Sequence, residues 1–108
     1  MSFGFYVENP LSEADEFYIP FASETTFYQE LLPIIKQLRL ELLTLCQVGL
    51  NIDKDVWSAV LMELNTLKDF LATSGNASLE YVIKRIDFMQ KKIGAIFERY
   101  DNAIIFLG

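Results

Sequence analysis

Two stretches of this chain repeat apolar residues at intervals of three and four. Trp57, Val60, Leu64, Leu67 and Leu71 follow a 3-4-3-4 spacing, and Leu79, Val82, Ile86, Met89, Ile93, Ile96 and Tyr100 carry the same rhythm through three heptads. That spacing places each set on one face of a helix, so the pattern predicts two long amphipathic helices. Asp53 is the candidate N-cap of the first, with Asp55 in the first turn where the helix dipole favours an acid. Ile52 and Trp57 occupy the two positions of a hydrophobic staple. Thr73-Ser74-Gly75-Asn76 closes this helix and turns the chain, which predicts an antiparallel helix pair.

The N-terminal pattern is different. Phe3 to Val7 and Phe17 to Phe21 are short aromatic and β-branched runs separated by a polar, acidic stretch. They read as a hairpin with a long loop. Pro20 confines the second strand to a sheet edge or ends it. In a strand alternate residues face opposite ways. Phe3, Phe5 and Val7 therefore share one side, as do Phe17, Ile19 and Phe21, and Tyr6 and Tyr18 point outward. Thr26 and Gln29 fit a capping box for a further helix bearing Leu31, Ile35, Leu38, Leu42 and Leu45. Pro33 removes a helical N–H and predicts a kink or a late start. From Leu38 to Val48 the leucines alternate with period two as well, so that segment reads as helix or as strand. Ala103 to Leu107 reads as a last strand.

Strand directions close consistently if Leu40 to Cys46 is a strand. The predicted fold is therefore α+β and helix-rich, one domain over residues 1–108. A small sheet from the N-terminal hairpin and the C-terminal strand packs on the antiparallel helix pair plus one further helix. The alternative is a three-helix bundle with short terminal strands.

Charge sharpens the picture. The first 30 residues hold six acids and no Lys or Arg, while the other 78 hold nine of each sign, so the formal charge of -6 sits in one arm. The same arm holds eight aromatics. An acidic, aromatic surface suits a basic protein partner. The residues expected to make that contact are Tyr6, Glu8, Glu13, Asp15, Glu16 and Tyr18. Five of the nine bases fall at Lys84, Arg85, Lys91, Lys92 and Arg99 on the last helix, interleaved with Glu80, Asp87 and Glu98. That mixture reads as a solvated helix face rather than a nucleic-acid stripe.

Candidate chemistry is sparse. There is no histidine and a single cysteine, Cys46, so imidazole bases, Cys–His pairs and thiolate zinc sites are excluded. Asn51, Asp53 and Asp55 begin like a calcium loop, but Val56 and Met62 stand where the glycine and the bidentate acid belong. Glu41 and Glu63 are the carboxylates left beside apolar faces. No catalytic residue, metal ligand or cofactor site is expected. No signal-peptide or membrane-spanning pattern is found, and the expected location is cytoplasmic. The expected function is non-catalytic protein binding; in size, charge and lack of catalytic groups the chain resembles small acidic immunity or antitoxin-type inhibitors. The alternatives are a structural protein acting as a homodimer or complex subunit, then a carboxylate-only enzyme. Leu32, Ile34, Leu40, Leu43 and Cys46 lie off the main stripe of their helix, and on that ground a homo-oligomer is expected.

Overall fold

The computed structural model describes residues 2–8 and 18–108. Among these residues four antiparallel strands form one sheet: β1 (Ser2–Val7), β2 (Tyr18–Ser23), β3 (Leu50–Ile52) and β4 (Ile105–Leu107), in the order β2-β1-β4-β3. The expected helix-rich α+β class is the one observed. β1 and β4, from opposite ends of the sequence, are the two central strands, joined through Phe5–Leu107, Tyr6–Phe106 and Val7–Ile105.

Helices cover one face of the sheet. The strands turn Phe5, Val7, Ile19, Phe21, Ile52, Ile105 and Leu107 to that side, and all are buried. They share a single core with the stripes of α4 (Lys54–Ser74) and α5 (Glu80–Arg99). The buried residues of α4 are the five that the 3-4 spacing marks. Asp53 caps α4 by accepting from the Val56 N–H at 2.8 Å, and Gly75 ends it at φ 69°, a left-handed position suited to glycine. A 3-10 turn, Ala77–Leu79, leads into α5. Lys68 of α4 reaches both Asp87 (2.8 Å) and Gln90 (3.0 Å) of α5, and Gln90 donates to Asn65 at 2.8 Å. Asp87 thus pairs across the two helices.

The middle of the chain departs from expectation in three places. The first helix begins three residues early, because Ser23, not Thr26, is the N-cap and accepts the Thr26 N–H at 3.1 Å. It runs as α1 (Glu24–Thr26), a π-turn (Phe27–Leu31) and α2 (Leu32–Gln37). Pro33 offers no N–H to the carbonyl of Gln29, and the wider turn ahead of it takes up the break. Second, the Leu38 to Val48 segment is not a strand. α2 stops in a Schellman turn: the Leu40 N–H donates to Ile35 O (3.0 Å) and the Arg39 N–H to Lys36 O (3.1 Å), with Arg39 at φ 57°. A short α3 (Glu41–Thr44) and a 3-10 turn (Leu45–Gln47) follow. Third, the strand expected there appears at Leu50–Ile52 instead, where β4 supplies its partner.

Both sheet edges are blunted. In β2 the register slips at Phe21, so Phe21 and Ala22 are buried in succession; this is a bulge. Pro20 has no N–H to offer, and Arg85 Nη1 donates to the carbonyl of Phe21 at 3.4 Å. The other edge, β3, is three residues long.

The apolar residues that led to the dimer expectation lie inside the fold. Leu32, Leu40, Leu43 and Cys46 are buried and Ile34 is half-buried, so that surface gives no reason for a homo-oligomer.

Candidate functional site

The other face of the sheet presents Tyr6, Tyr18, Pro20 and Phe106, none of them buried. Register places Tyr18 opposite Tyr6, Tyr6 opposite Phe106, and Phe106 opposite Asn51. One aromatic row therefore crosses the three strands β2, β1 and β4 and ends on the amide of Asn51. The Tyr6 and Phe106 ring centroids are 5.1 Å apart at 47°, a favourable tilted contact.

Glycines let the outer rings of the row lie down on the sheet. A Cβ on Gly4 would overlap the Tyr18 ring, and one on Gly49 would come within 2.7 Å of Phe106 Cζ. Gly108 lies beside Gly49 at the same end of the Phe106 ring, where a Cβ would meet Cε1 and Cζ. Gly49 also has φ +95°, which L side chains rarely adopt. Aromatic rings laid over strand glycines shield the bare backbone and make a low, flat surface. Tyr18 remains 49 % exposed.

Of the six residues expected to bind a partner, Tyr6, Glu8 and Tyr18 fall together here. Glu8 is exposed, two residues beyond Tyr6, and its N–H holds Ile104 O at 2.7 Å. Glu13, Asp15 and Glu16 lie outside the described residues. Much of the arm's aromatic content is core. Phe5, Phe21 and Phe27 are buried, and Phe3 packs on Phe27 with ring centroids 4.5 Å apart. The sequence reading missed Phe106. Its signal was the alternation of Ile105, Phe106 and Leu107, which turns the middle residue away from the core.

The carboxylates and thiol considered for chemistry have structural places. Glu63 Oε2 accepts the Leu42 N–H (3.2 Å) and Oε1 accepts the Leu43 N–H (3.0 Å), so α4 caps the start of α3. Cys46 is buried, and desolvation pushes its thiol up to about 12. Among the described residues no group of three or more Cys, Asp or Glu is placed to hold a metal ion. No described helix is long and apolar enough to cross a membrane.

No protein-family model matches the chain, and neither curated proteins nor solved structures give a match. The fold defines a two-layer α+β class, with helices on one face of the sheet and the aromatic row on the other.

Proposed function

We propose that this chain is a small, non-catalytic protein-binding module that offers the open sheet face to a basic protein partner. The most concrete form is an immunity or antitoxin-type inhibitor. The observation that carries the reading is the row Tyr18–Tyr6–Phe106, with Tyr18 exposed and Tyr6 and Phe106 half-buried, on the sheet face that no described helix covers and flanked by Glu8. Tyr6 and Tyr18 belong to an N-terminal stretch of 30 residues with six acids and no base. Flat tyrosine surfaces give contact area at low entropic cost, and nearby acids steer a basic partner. The blunted edges disfavour recognition by strand addition, so side chains would do the reading.

The test begins with capture of binding proteins from the native cell, followed by rate measurements on the captured partner at two ionic strengths. Tyr18→Ala is expected to hasten dissociation, because desolvated aromatics set off-rates. Gln at Glu13, Asp15 and Glu16 together is expected to slow association and flatten its salt dependence. Gln37→Ala, exposed on α2, serves as the unaffected control. Capture that is identical for the wild type and for Tyr6→Ala/Tyr18→Ala would sink the reading.

A further inference from the structure

The helix layer carries a second surface, built from α4 and α5 alone. Gly94 sits in the interior of α5, where glycine costs about 0.5–1 kcal/mol relative to alanine. Its space is open: a Cβ there would meet no atom of the described residues within 4 Å. It opens a groove of about 350 Å³ between the two helices. Trp57 and Phe97, 7 % and 3 % exposed, lie in its floor with ring centroids 5.9 Å apart, and Ser58 and Leu61 form the α4 wall.

Charge on either side of Gly94 follows a symmetric plan. Lys91, Gly94 and Glu98 are spaced three and four apart and share one outward stripe of α5. Both charged side chains are exposed, and neither forms an ion pair with the described residues. Lys91 and Glu98 stand about 10 Å apart along the helix axis. The midpoint between them falls on Gly94 and Ala95, the two smallest side chains of the stripe and its flank. A two-fold axis through that midpoint makes the surface complementary to itself. Lys91 then meets Glu98 of a second copy, Glu98 meets its Lys91, and the small residues cross where the backbones come closest.

We propose that two copies associate through an antiparallel crossing of their α5 helices at Gly94–Ala95, with reciprocal Lys91–Glu98 pairs and the α4/α5 groove as the contact floor. The occupant of the groove is thus a second copy of this chain. This surface is distinct from the sheet face and leaves that face open in the dimer.

Sedimentation equilibrium of the full chain tests the proposal. The wild type is expected to dimerise as concentration rises, more weakly in high salt. Gly94→Leu should raise the dimer dissociation constant at least about tenfold, while thermal unfolding of the monomer shows the fold intact. Lys91→Glu and Glu98→Lys should each weaken the homodimer. The double exchange should restore it, and an equimolar mixture of the two single variants should form a heterodimer. A wild type still monomeric at about 1 mM would overturn the proposal. So would a dimer indifferent to Gly94→Leu and to the charge exchanges. Neither result bears on the sheet face, whose partner is tested separately.

Discussion

Replacing Glu63 by Ala removes both acceptors that hold the start of α3. The carboxylate receives the N–H groups of Leu42 and Leu43, at 3.2 and 3.0 Å, from a position 21 and 20 residues away in sequence. Hydrogen bonds to a charged group contribute about 1.5–3 kcal/mol each when buried. These are part-buried, and water can reach Glu41 and half-buried Leu42, so each falls below that range, at about 1 kcal/mol. A favourable carboxylate at a helix N-terminus adds about 0.3–1 kcal/mol. The expected loss is about 2–3 kcal/mol for Glu63→Ala. Glu63→Gln keeps one acceptor oxygen and should cost about half as much. Urea unfolding reads this directly: with a slope near 1–3 kcal/mol/M, the Ala midpoint should fall by about 0.7–3 M at unchanged slope. A Glu63→Ala variant within about 0.5 kcal/mol of wild type would refute the cap.

Three further outcomes are expected. Arg39→Gly should stabilise the protein by about 1 kcal/mol, because Arg39 holds φ 57° where a side chain is strained; Arg39→Val should destabilise it, both by denaturant unfolding. Leu64→Ala and Ile86→Ala, each fully buried on a long helix, should cost roughly 2–5 kcal/mol by the same measurement. Lys54 and Asp101 pair at 2.6 Å, which raises the lysine above 10.5 and lowers the aspartate below 3.8, through the hydrogen bond first and the charge second. The aspartate's contribution is present above its unfolded value and is lost as pH falls through its lowered folded one. The lysine's contribution is lost as pH rises above 10.5. Both groups are exposed, so the effect is small, and Asp101→Asn should remove it from the acid limb of a stability-versus-pH curve.

What could be read from sequence follows the range of the forces involved. α4 and α5 were legible because their burial repeats locally, and Asp53 and Gly75 punctuate them. The Leu38 to Val48 segment was not, because its deciding contact is Glu63, supplied from another helix. β3 is three residues with no strand signal of its own; β4 alone makes it a strand. The outward placement of Tyr6 and Tyr18 came from strand alternation. Phe106 joined them through a register between opposite ends of the chain, which no local pattern encodes. The expected dimer surface on the first helix failed for a related reason: the broken path of α2 and α3 turns Leu40, Leu43 and Cys46 inward.

The central pairing of β1 with β4 has a kinetic consequence. These strands lie about a hundred residues apart, so closing the sheet requires the longest loop the fold contains. The α4–α5 hairpin, by contrast, is made of local contacts joined by a short turn, and local contacts form fast. The helix pair should be organised in the folding transition state and the middle of the sheet should zip afterwards. Mutational φ-values near one at Leu67 and Val82, with values near zero at Ile105, would be its signature. Until that last step the aromatic row does not exist as a surface. Tyr18 and Phe106 come together only when β1 has gathered its two neighbours, so any partner that reads the row reads a completed fold.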